Sequence, residues 1–177
     1  MGASPRPPDH ISLEKHRDDD RAVERWLRWI LVALLTSFAI LGLANVFGQQ
    51  PSENRVDAAG ATLAVSAPDD LRGGLFFQGR FEIVAREAIR TPTLRLASGW
   101  FDGFHLNTIE PEPTGTGPET GGDVTLEFDP LPAGKTLTVY LELQVNPTTM
   151  GRRDQSAELR DGERTLASLD RRVTIFP

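Results

Sequence analysis

Hydrophobic residues are laid out along this chain in two unlike patterns. From Trp29 to Phe47 they run almost without a break, interrupted only by Thr36, Ser37, Gly42 and Asn45, and no formal charge falls among the 24 residues between Arg28 and Glu53. Nineteen residues at a helical rise of about 1.5 Å reach roughly 29 Å, close to the hydrocarbon thickness of a bilayer. The pattern predicts one transmembrane helix holding Trp29, Phe38 and Phe47, with Trp26, Trp29 and Phe47 placed toward the two interfaces. Thr36 and Ser37 can return their hydroxyls to carbonyls one turn back.

Beyond Gly60 the period changes to two. Leu63 and Val65 alternate in a first run, and Phe77, Phe81, Ile83 and Ala85 share one face of a second, opposite Arg80, Glu82 and Arg86. Leu94 and Leu96 mark a third, Leu106 and Ile109 a fourth, and Val124, Leu126 and Phe128 a fifth. In the sixth, Leu137, Val139, Leu141, Leu143 and Val145 alternate with Thr136, Thr138, Tyr140, Glu142 and Gln144. Such alternation belongs to half-buried strands. Asp161-Gly162 between two more alternating segments has the chemistry of a tight hairpin, and the lapse in alternation at Asp170–Arg172 predicts a bulge. The expectation is an all-β fold, an antiparallel β-sandwich of seven or eight strands behind one N-terminal transmembrane helix.

These patterns divide the chain into a disordered cytoplasmic tail over 1–20, a juxtamembrane and transmembrane helix over 21–48, a polar linker over 49–60 and a sandwich over 61–177. Arg17, Arg21, Arg25 and Arg28 precede the span and only Arg55 lies close behind it, so the N-terminus is expected inside and the sandwich extracytoplasmic. The small residues around Gly42-Leu43-Ala44 resemble a signal-peptide cleavage site. The 28 residues before the apolar run and the run's own length instead favour a retained anchor at the cell membrane. Ala33, Ser37 and Gly42 have no regular four-residue spacing, so helix pairing is weakly suggested.

Composition narrows the chemistry. The chain has no cysteine, which removes disulfides, thiol catalysis and cysteine-held metals. Its net charge of −6 arises after residue 48, where nineteen acidic side chains face thirteen basic ones, and no basic stripe argues for nucleic acid. His105 is the one histidine beyond the span, and no Gly-x-Ser-x-Gly elbow surrounds a serine, so a hydrolase is disfavoured. His10 and His16 are six residues apart, which matches no zinc spacing. The glycines at 73, 74 and 79 do not form a phosphate loop. No enzyme activity, cofactor or metal is expected. The acidic stretch 102–123, with Asp102, Glu110, Glu112, Glu119 and Asp123, fits no calcium loop and reads as solvated.

Two local segments offer contact chemistry. Gly99-Trp100-Phe101-Asp102-Gly103-Phe104-His105-Leu106 carries three large aromatic residues between glycines. Outward rings would make Trp100, Phe101, Phe104 and His105 a partner-binding patch, whereas inward rings would plug the end of the core. The loop Asn146–Asp154 offers Arg152 and Arg153 to anionic head groups or acidic wall polymers.

The stretch Leu131-Pro132-Ala133-Gly134-Lys135-Thr136-Leu137-Thr138-Val139-Tyr140-Leu141 resembles the corner entering a late strand of immunoglobulin-like and fibronectin type III-like domains. Leu137 stands where those families often carry tyrosine. As a whole the chain resembles single-pass membrane proteins of high-GC actinobacteria with such an extracytoplasmic domain, and 17 Arg against 2 Lys agree with a GC-rich genome. The resemblance implies a sandwich and no activity. The functional expectation is a non-enzymatic interaction or accessory module with an envelope protein partner. The alternative is a cell-wall carbohydrate-binding module using the aromatic loop 100–106.

Overall fold

The structure, a computed structural model, describes residues 13–43 and 50–177. Phe47, residues 1–12 of the expected tail and Ala44 of the cleavage-like site lie outside the described residues. Helix α1 runs Leu13–Leu43, starting well before residue 21. Neither proline nor glycine interrupts positions 13–41, so the helix extends into the segment expected to be disordered. Within it the Ser37 hydroxyl donates to the Ala33 carbonyl at 2.8 Å.

Residues 50–177 form an immunoglobulin-like antiparallel β-sandwich. In chain order the strands are β1 (Pro51–Asp57), β2 (Ala61–Pro68), β3 (Asp70–Arg72), β4 (Phe76–Ala85), β5 (Pro92–Leu96), β6 (Phe104–Glu110) and β7 (Gly115–Pro118). There follow β8 (Val124–Glu127), β9 (Thr136–Val145), β10 (Gly151–Asp154), β11 (Ala157–Asp161), β12 (Arg164–Leu169) and β13 (Arg172–Phe176). One five-stranded sheet has the order β1-β2-β4-β9-β6, the other β12-β11-β5-β8-β7. A three-stranded sheet, β10-β13-β3, completes the domain, and its β13–β3 pair is parallel.

The alternating residues supply the core. Leu63, Val65, Phe81, Ile83, Val139, Leu141 and Leu143 from the first sheet meet Leu94, Leu96, Leu126 and Leu159 from the second, all at most 1% exposed. The Leu131–Lys135 corner forms as its composition suggests. Leu131 pairs with Ile89, the Gly134 amide donates to the Ala85 carbonyl, and β9 starts at Thr136.

Four local expectations change. The segment expected as a linker contains β1, seven residues paired in register with β2 from Pro51↔Pro68 to Asp57↔Thr62. Its inward positions are Ser52, Asn54 and Val56, half-buried, as an edge strand permits, so periodicity leaves almost no trace in the sequence. The lapse at Asp170–Arg172 is the crossing between sheets rather than a bulge: β12 ends at Leu169 and β13 joins β10 and β3. Register shifts fall instead between Leu159 and Arg160 and between Leu106 and Thr108. In the β11–β12 hairpin Asp161 pairs with Arg164, leaving Gly162-Glu163 as the loop, while the Asp161 carboxylate accepts from the amides of Arg90 and Thr91 at 3.0 and 2.8 Å. Finally, short strands such as β3, β7 and β10 raise the total above eight, because three or four residues are too few to display a period.

Candidate interaction surface

The aromatic segment lies between β5 and β6. Ser98–Trp100 make a 3-10 turn, which presses the backbone so close to its neighbour that a Cβ at Gly99 would stand 2.1 Å from the Asp154 carbonyl oxygen. Only glycine fits there. Trp100 is fully buried, its ring 5.0 Å from that of Phe81 and its indole N–H donating to the Gln155 carbonyl at 2.9 Å. Gly79 leaves the space, since a Cβ there would lie 2.9 Å from Trp100 Cζ3. Phe104 is half-buried, edge-on to Phe77 at 5.4 Å, Phe101 is half-buried against the core, and His105 is exposed. The structure therefore does not bring the four residues together as an outward patch. Trp100 plugs the core, because a domain of this size needs its largest apolar surface inside. A sugar-stacking role for that ring, and with it the carbohydrate reading of loop 100–106, loses its main residue.

Beside Trp100 lies a residue that the sequence analysis did not single out. Arg171 is 4% exposed, with its guanidinium carbon 5.7 Å from the centre of the indole ring. It donates to the Gln155 side-chain oxygen, to the carbonyls of Ala67 (2.8 Å) and Pro68, and to Asp69 at 3.0 Å. Burial pushes its pKa down from the usual arginine value, and Asp69 opposes that push. Gln155 is itself fully buried. The lapse in alternation at Asp170–Arg172 was the available signal, since a charged residue stands where a core residue is due.

The most organised polar feature is the outer face of the second sheet. Register sets Ser168, Glu158, Arg95, Thr125 and Gly117 in one row across β12, β11, β5, β8 and β7. Arg95 stands at the centre, within 2.6 Å of Glu119, 2.8 Å of Asp123 and 3.1 Å of Glu158. Arg160, two residues along β11 from Glu158, reaches Glu158 at 3.0 Å and Glu119 at 2.9 Å. The Thr165 hydroxyl also donates to Glu158. The Arg160 hydrogen bond, with those of Thr165 and Arg95, holds the Glu158 carboxyl down to about 2 against the desolvation that would raise it. Asp123 also accepts the Ser98 amide at 2.9 Å, tying the aromatic turn to this face. Beside the network opens a shallow cleft of about 290 Å³ lined by Arg95, Ser98, Asp123, Asp154, Ser156 and Asp170.

The acidic stretch 102–123 is thus divided among partners. Asp102 faces Arg153 at 3.3 Å, Glu119 and Asp123 belong to the Arg95 network, and Glu110 and Glu112 are exposed. No group of three or more metal-ligating side chains occurs among the described residues. Of the two arginines in the loop 146–154, Arg152 is exposed and Arg153 is half-covered beside Asp102. The charged face carries fixed, mutually held ions with defined donor directions, an arrangement suited to docking a polar surface.

No protein-family model matches the sequence, and no curated protein matches it. Solved structures with a similar fold include CaCohA2 from Clostridium acetobutylicum, at 12% identity and TM-score 0.44, covering 67% of this chain and 92% of that one. A non-cellulosomal cohesin from Archaeoglobus fulgidus is similar at 12% identity and TM-score 0.40, covering 63% and 88%. The CARDB domain of the PF1109 protein of Pyrococcus furiosus, solved with di-metal ions, is similar at 14% identity and TM-score 0.36, covering 70% and 95%.

Proposed function

We propose that the chain is a non-enzymatic, single-pass membrane protein that presents its sandwich outside the cytoplasmic membrane as an interaction module for an envelope protein, with the N-terminus inside. The observation that carries the reading is the segment Val23–Leu43. It is 21 residues of mean hydropathy 1.9, and none of it is buried inside the protein. An apolar helix exposed on every side needs an apolar solvent, and a bilayer supplies one. Basic residues before the span and their scarcity after it support the orientation.

The sandwich supports the second half of the reading through its charged face. Arg95, Glu119, Asp123, Glu158 and Arg160 are already held in place, so a partner with complementary charge meets a face whose ordering cost has been met in folding. The test is a photo-crosslinking amino acid at Ser168, exposed on that face, compared with one at Gln78 on the opposite sheet, in intact cells. A single envelope protein is expected on Ser168 alone, and lost when Arg95→Glu reverses the central charge. Equal labelling from both positions overturns the assignment of the face. Recovery of the intact chain in the soluble fraction overturns the anchor.

A further inference from the structure

Among residues 50–177 four large apolar side chains stand exposed: Leu75, Phe76, Met150 and Phe176, at 46, 66, 57 and 49%. Scattered single residues of this kind are ordinary, but a set gathered at one place on a domain marks a contact. The sheet register gathers all four at one end. β2 runs toward that end and continues through β3 to Arg72, and β4 starts back from it at Phe76. β13 runs parallel to β3 and arrives there at Phe176, paired with Arg72. β10 leaves from Gly151, opposite Ile175, so Met150 precedes it at the same rim. The Gly73 amide donates to the Phe176 carbonyl at 3.0 Å, linking the two arms.

The chain enters the domain at this same end, since Pro51 pairs with Pro68 at the end of β2. Seven residues separate Leu43 from Pro51, a reach of at most about 29 Å even fully extended. The rim also carries two exposed arginines, Arg72 and Arg152, on a domain that is acidic as a whole. Apolar side chains accompanied by two arginines at the tethered end match the chemistry of an anionic bilayer surface, where rings and methionine settle about 5–10 Å deep and guanidinium groups meet phosphates.

We infer that this rim rests on the anionic lipid surface of the membrane holding α1, with Leu75, Phe76, Met150 and Phe176 at head-group depth and Arg72 and Arg152 against lipid phosphates. The inference rests on the reading of α1 as a span.

The chain contains no cysteine, so single-cysteine variants of the full chain can be labelled cleanly. F76C and M150C probe the rim, and K135C probes the other end, where Lys135 precedes β9 and accepts the Ala85 amide. Each variant carries a polarity-sensitive fluorophore and is reconstituted into phosphatidylcholine–phosphatidylglycerol vesicles, with flotation and resistance to carbonate measured on the same samples. The expected result is flotation, a blue shift at 76 and 150, and loss of most of their emission to lipid-borne quenchers, with label 135 unaffected. Adding L75S to M150C is expected to weaken lipid quenching at 150. Flotation with labels 76 and 150 as open to aqueous quencher as 135 overturns the inference and leaves the anchor intact. Shielding from water without lipid quenching overturns it in favour of contact between copies. Failure to float overturns the anchor, and the inference falls with it.

Discussion

Among the described residues Arg171 is the one charged side chain that is buried. Its guanidinium draws together β2's last carbonyls, the Gln155 side chain and the Trp100 ring. Removing it strands the buried oxygens of Gln155, Ala67 and Pro68 without this donor, and a buried polar group left unsatisfied costs about 1–3 kcal/mol. R171A is therefore expected to lower stability by that amount in urea unfolding of the detergent-solubilised chain. The neighbouring indole is tested by size. G79A forces a methyl group against Trp100 and is expected to cost about 1–3 kcal/mol, read from the same unfolding curves. The ring's position was legible only as a choice between plug and patch. Three aromatic residues between glycines look the same in sequence either way, and burial depends on Phe81, Gly79 and Gln155, distant along the chain but adjacent in space.

Pairs of elements make the charged face. Glu158 has its carboxyl held near 2 against an ordinary value of 4.5, so between these values the unfolded chain binds the proton more readily than the folded one. The stabilisation it contributes is complete above about pH 4.5 and is lost as pH falls through about 2. E158Q is expected to be less stable than the parent at neutral pH and to show a shallower loss between pH 4.5 and 2, followed by chemical unfolding at stepped pH. At the opposite sheet, β1 pairs along its full length with β2. About half of the amide hydrogens over 52–57, those that point at β2, are therefore expected to exchange slowly by mass spectrometry, instead of all at the immediate rate of a free linker. The strands of the central alternating runs were legible because one face is dry. β1 was not, because Ser52 and Asn54 occupy its inward positions at an edge where burial is partial.

At the scale of the whole molecule the two units treat their apolar surface in opposite ways. Val23–Leu43 exposes its apolar surface on every side, whereas residues 50–177 bury theirs around a core drawn from both large sheets. Under the proposed orientation, protease added to wall-stripped cells is expected to cleave within 50–177 after local opening and to leave a membrane-retained fragment containing α1. An N-terminal epitope detected by immunoblot follows that fragment. An untouched full-length chain in intact spheroplasts, digested once they are lysed, would place the domain inside.

Period and length are local properties, so the amino-acid sequence by itself determined the long apolar helix, the all-β character of the rest and the residues of the inner face. Leu63, Ile83, Leu94, Val139 and Leu143 must leave water whatever their partners are. Register, sheet order and the company each polar residue keeps were decided only by the tertiary structure, because they join positions many residues apart. Arg95 is one arginine among seventeen until β11 and the turn before β8 bring it Glu158, Glu119 and Asp123. Phe76, Met150 and Phe176 are three unrelated apolar residues until β4, β10 and β13 set them at one end of the domain.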